Sequence, residues 1–187
     1  MKFHVSCAAA MLLATAACSD MGGMGGASTA SSDAPMGAAM PGDMTPTAAM
    51  PFVAMAGASD LYEIQSSQIA LQKSQNSQVR DFAQMMIAHH TQTTQQVTAA
   101  ARAAGMNPPP PQLMPMQADM IAKLQPLSGA AFDRMYIMQQ RRAHEMALAL
   151  HTNYARNGDT AQLRTAASTA APIVQQHLDR VRTLNAG

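Results

Sequence analysis

Four consecutive prolines, Pro108–Pro111, restrict this chain more than any other feature. Each holds φ at about −65° and lacks the N–H that a helix or an inner strand would use, so neither element can run through them and the segment is extended polyproline. On both sides lie long stretches with apolar residues at 3-4 spacing. Nowhere do four residues alternate apolar and polar with β-branched enrichment, so the reading contains no strand. Aromatics make up 4% of the 187 residues, Trp is absent and Met reaches 18, which leaves Ala, Leu, Ile and Met to pack the core and favours helices.

Capping signals bound four long helices. The first opens at Ser59-Asp60 with Leu61, Ile64, Ile69 and Leu71 as its apolar positions and closes at Asn76-Ser77. Ser77 is the N-cap of the second, whose stripe is Val79, Phe82, Ala83, Met86, His90, Thr93, Val97 and Ala100, with Gly105 as its C-terminal stop. A short helical piece, Met116 to Gln125, follows the prolines and is ended by Pro126. Ser128 caps the third long helix, which carries Phe132, Tyr136, Gln140, His144, Ala147 and His151 and stops at Asn157-Gly158. The fourth starts near Thr160 and is expected to kink or restart at Pro172, before Ile173, Val174, His177, Leu178, Val181 and Leu184.

Two tight hairpins joined by one long crossover that holds a short helix make an all-α, ferritin-like four-helix bundle over residues 58–187. Register arithmetic then places polar residues inside it. Glu63 stands 13 residues before Asn76 and His90 stands 14 after it, so at about 1.5 Å per residue the two are level. His144 precedes Gly158 by 14 residues and His177 follows Asp159 by 18, a mismatch of about 6 Å that an adjustment at Pro172 would absorb. His90, His144 and His177, with Glu63 or Met86 assisting, are therefore candidate metal ligands; Met85, Met86 and His90 are an alternative set for Cu(I). Each of these residues also has a plain role, His as a hydrogen-bonded core residue and Met as a gap-filler. His89 and His151 are expected half-exposed, and Glu145 is expected to pair with Arg141 or Arg142.

Composition excludes several chemistries. A carboxylate-bridged di-iron centre needs about four carboxylates and two His, yet the chain has two glutamates, Glu63 and Glu145, neither with a histidine three residues on. What remains is a His-dominated site suited to copper or zinc. No G-x-S-x-G, phosphate-loop or dinucleotide fingerprint occurs in a fitting context. Twelve Lys and Arg against eleven Asp and Glu form no basic stripe, so nucleic acid is not an expected partner.

The amino-terminal part carries an address. Lys2 precedes an apolar run of about 13 residues, Val5 to Ala17, short of the roughly 20 that span a bilayer as a helix. Ala14-Thr15-Ala16-Ala17-Cys18 resembles a bacterial lipobox. The resemblance implies cleavage after residue 17, a diacylglyceryl group on Cys18 and, with Ser19 following, an outer-membrane lipoprotein facing the periplasm. Cys7 is removed with the signal, which leaves no thiol pair for a disulfide. Residues 18–57 are built mainly from Gly, Ala, Ser, Thr, Pro and Met, with Asp20, Asp33 and Asp43 and no basic residue, the composition of a disordered tether. Met21, Met24, Met36, Met40, Met44, Met50 and Met55 lie in it, as thioether donors for Cu(I) or as compositional drift.

Asp60-Leu61-Tyr62-Glu63-Ile64, Val79-Arg80-Asp81-Phe82-Ala83-Gln84-Met85-Met86 leading to His90, Phe132-Asp133-x-x-Tyr136 leading to His144, and Pro172 leading to His177-Leu178 resemble domain of unknown function 4142, a bacterial envelope family described as predicted outer membrane proteins. The resemblance covers residues 58 to 184 and implies a ferritin-like bundle. The family's usual Asp-His is His89-His90 here, and its Leu-Pro is Ala171-Pro172; the first departure removes a carboxylate next to the candidate site. Met85-Met86-Ile87-Ala88-His89-His90 is similar over six residues to domain of unknown function 305, which implies copper. The expectation is a lipid-anchored envelope module for binding or stress, or else a periplasmic copper or zinc binder, with a metalloenzyme as a further alternative.

Overall fold

Two short turns and one long connection set the topology. A computed structural model describes residues 45–185, and among them five helices are present and no strand: α1 (Ala49–Lys73), α2 (Ser77–Ala103), α3 (Pro115–Leu124), α4 (Gly129–Asn157) and α5 (Ala161–Arg182). The signal segment, Cys18 and the tether as far as residue 44 lie outside the described residues.

The apolar residues form two clusters at opposite ends of an all-α bundle. One joins Ile69 and Ala70 of α1, Val79, Phe82 and Met86 of α2, Phe132 and Tyr136 of α4, and Leu178 and Val181 of α5, with Leu124 of α3 beneath them. The other joins Phe52 and Val53, Val97 and Ala101, Leu150 and Tyr154, and Leu163 and Ala167 from the same four long helices. The start of α2 and the start of α4 share one cluster and their ends share the other, so these two helices run parallel. The connection carrying Pro108–Pro111 and α3 must then travel the length of the bundle, and it packs on α1 and α4. Gly57 of α1 suits that path, because a Cβ there would stand 3.2 Å from the Pro111 ring, closer than ordinary contact.

Three expectations need correction. The first long helix starts at Ala49 rather than at Ser59-Asp60, which moves Met50 and Met55 from the tether into a helix. Ala48 offers no side-chain cap; the cap comes from Asp159 in the α4–α5 turn, whose Oδ2 accepts from the Ala49 N–H at 3.3 Å while its own N–H donates to the Thr47 carbonyl at 2.9 Å. Asn76, not Ser77, caps α2, its Oδ1 accepting from the Gln78 N–H at 3.0 Å. Pro172 does not restart a helix but lies inside a continuous α5, because the packing of Ala170, Val174 and His177 against the bundle outweighs the lost backbone hydrogen bond. The Gly105 stop stands as read: its φ is +78°, the left-handed conformation that ends α2.

Candidate metal centre

Between the two apolar clusters the four long helices contribute a layer of buried polar side chains. Asp60 and Glu63 come from α1, His90 from α2, Gln140, His144 and His151 from α4 and His177 from α5, each no more than 4% exposed. Burying this many polar groups costs free energy unless each finds a partner, so their hydrogen bonds decide what the layer is for.

His90, His144 and His177 meet. Their ring centroids lie 5.3 to 5.5 Å apart, and one nitrogen from each falls within 4.8 Å of the others. Every one of the three rings is held from behind. His90 donates from Nδ1 to Asp60 Oδ1 at 2.8 Å, and Asp60 Oδ2 accepts from Thr94 Oγ1 at 2.9 Å. His144 donates from Nδ1 to the Gln140 carbonyl at 2.8 Å. His177 Nε2 shares a proton with His89 Nδ1 at 2.8 Å, the two rings stacked at 5.0 Å. The second nitrogen of each ring, Nε2 of His90, Nε2 of His144 and Nδ1 of His177, is buried without a hydrogen-bond partner. An imidazole whose outer N–H is anchored is fixed in one tautomer and presents a lone pair at the other nitrogen, which is how a metal-ligating His is prepared. These three buried His could hold a metal ion.

Electrostatics agree. Burial, with the neighbouring His90, lowers His144 to about 3, and burial followed by the other three histidines lowers His177 to about 2, so both are neutral lone-pair donors at neutral pH. Burial alone would also push His90 down, but the hydrogen bond and charge of Asp60, with Glu63, lift it above its ordinary value. Asp60 thus binds cationic character on His90, from a proton or from a coordinated ion. Burial raises Glu63 to about 7 against the opposing pull of His90.

The remaining candidate residues fall around this group. Glu63 stands behind His144, Oε1 3.7 Å from Nδ1 and Oε2 buried without a partner. Met86 is fully buried in the apolar cluster beside the layer, among Phe82, Tyr136 and Leu178, and Met85 packs on its edge. His89 is exposed, but its ring holds His177. His151 is buried rather than half-exposed, edge-on to Phe52 at 5.6 Å, and lowered to about 4 chiefly by burial. It belongs to the same stripe as His144, seven residues on, and that spacing already pointed it inward. Glu145 pairs with Arg182 of α5 at 3.7 Å instead of an arginine of its own helix.

Asp60 is the residue of this layer that sequence reasoning missed. Next to Ser59 it looked like an N-cap, and only the earlier start of α1 turns it inward three residues before Glu63. The carboxylate absent beside His90 in sequence is supplied by the facing helix.

A family model matches residues 33–184, most of the chain, and its description is Domain of unknown function (DUF4142). The chain belongs to this family. The matched span includes Asp60, Glu63 and all three converging histidines, so the site lies within the family's domain. No curated protein and no solved structure matches the chain.

Proposed function

We propose that this domain is a metal-binding module in which His90, His144 and His177 hold one divalent ion, zinc or copper. The observation that carries it is the pairing of an anchored outer nitrogen with an unpartnered inner nitrogen in all three rings. A core histidine kept only for packing needs one such hydrogen bond; three rings that meet within 4.8 Å through one nitrogen each, and that each keep a second nitrogen buried without a partner, leave orphans costing about 1–3 kcal/mol apiece. One ion satisfies all three. Neutral imidazoles suit Zn(II) and Cu(II), and the carboxylates of Asp60 and Glu63 match the charge of a divalent ion. Glu63 Oε2 is a further buried oxygen without a partner beside the layer.

The reading includes a ferritin-like bundle, supported by the single crossover along its length, and export with a lipid anchor at Cys18 on the outer membrane, supported by Lys2, the apolar run and the residues before Cys18. Among the described residues no helix is long and apolar enough to cross a membrane, and a lipid would be the attachment. The mass of the mature amino terminus tests the anchor: a diacylated Cys18 is expected, and a free amino terminus elsewhere sinks it.

For the ion, the full chain is titrated with Zn(II) and Cu(II) and its metal content measured alongside thermal melts. One equivalent per chain and a raised melting temperature are expected, both lost in His90→Ala and His144→Ala variants that keep their helical circular dichroism. A parent chain that binds neither ion, or variants that bind as well as the parent, would overturn the reading.

A further inference from the structure

A second donor set lies outside the histidine layer. Between α1, the crossover and α4 is a cavity of about 240 Å³ whose walls carry Met55, Met114, Met116, Met120 and Met146. All five are half-buried, and four of them, Met114, Met116, Met120 and Met146, belong to neither apolar cluster. They come from three separate segments: α1, α3 with its capping residue Met114, and α4. Met116 and Met120 are one helical turn apart, so they share a face of α3. Tyr62 stands at the wall with its hydroxyl committed to Gln139 Oε1 at 3.0 Å, and Gln139 in turn donates to the Met120 carbonyl at 3.1 Å, which ties α3 to the bundle beside the cavity.

Methionine is the side chain best able to flex into a gap and fill it. Five of them around a space that stays open are not serving that purpose. Their shared property is a neutral, polarisable thioether sulfur, a donor that takes soft monovalent ions and disregards hard divalent ones. Among the described residues no His or Cys lines the cavity, and the one carboxylate there, Glu145, is exposed and paired with Arg182.

We infer that this methionine-lined cavity is a binding site for a soft monovalent metal ion, Cu(I) or its redox-inert analogue Ag(I), separate from the histidine centre. The ion enters and leaves in one oxidation state, and the thioether sulfurs of Met116, Met120 and Met146 are its donors. The site does not depend on the histidine reading, since the two share no donor residue.

The test is titration of the full chain with Ag(I), in a background where Met21, Met24, Met36, Met40 and Met44 are replaced by Leu so that they do not compete. The parent takes up one Ag(I) with sulfur-only coordination in X-ray absorption. Combining Met116→Leu, Met120→Leu and Met146→Leu, which conserve volume, weakens it by about tenfold to a hundredfold or more while zinc uptake and helical content stay unchanged. His90→Ala leaves Ag(I) uptake as it was. Unchanged Ag(I) affinity in the triple variant, nitrogen donors in the absorption spectrum, or a cavity that takes an apolar dye but no silver would each overturn the inference. A chain that binds silver but neither Zn(II) nor Cu(II) would overturn the histidine reading alone.

Discussion

The ends of this bundle and its middle are built on opposite rules. At the ends, Phe82, Phe132 and Tyr136 on one side and Phe52 stacked on Tyr154 at 3.9 Å on the other bury apolar rings in full, and any group of the right volume would serve nearly as well. In the middle, Asp60, Glu63, His90, His144 and His177 are buried as deeply, yet four of their polar atoms have no partner. The ends supply stability that the middle spends, and the difference locates the chemistry.

The largest expected effect is at an end. Phe82→Ala should cost about 3–5 kcal/mol of stability, the range for deleting a buried aromatic, while the surviving folded protein still binds one zinc; chemical denaturation and metal content check the two halves. In the layer the order reverses. Asp60→Asn keeps an acceptor for His90 but loses the charge, and should weaken zinc by about tenfold to a hundredfold in a chelator competition, with little change in the melting temperature of the metal-free protein. His144→Leu should abolish metal binding yet stabilise the metal-free chain, by up to about 1–3 kcal/mol, because it removes an unsatisfied buried nitrogen. A destabilised Leu variant would mean that the ring is there for packing.

The smallest effect is on pH dependence. His144, His151 and His177 are all lowered below their ordinary value by burial, so the unfolded chain takes up protons that the folded chain refuses. Metal-free stability should therefore fall as pH drops from about 6.5 toward the folded values of about 4 for His151 and about 3 for His144. Glu63, raised to about 7 by burial, works the other way and removes stability as pH climbs from the ordinary carboxyl range through 7. Melts across this range should show a shallower acid limb in His144→Leu; an identical limb would place the titration elsewhere.

The legible part of the fold was the part written locally. Gly105, Ser128 and Asn157-Gly158 mark helix ends within two residues of where they occur, since a cap is a matter of a few neighbouring residues. The start of α1 was not legible. Ala48 has no capping side chain, and the group that replaces it, Asp159, is 110 residues away. The same error hid Asp60. Glu145 and Arg182 show the effect on the surface: helix spacing offered Arg141 and Arg142, and the neighbouring helix supplied the partner.

Periodicity and prolines, both properties of consecutive residues, were enough to establish an all-helical chain with one long crossover and inward-facing histidines on three helices. Only the folded structure could decide that the three rings meet, that Asp60 and His89 hold two of them from behind, and that methionines from α1, the crossover and α4 surround one cavity. Those outcomes depend on the relative register of helices separated by tens of residues, and a shift of one turn, about 5.4 Å, would have parted every one of these contacts while leaving each helix unchanged.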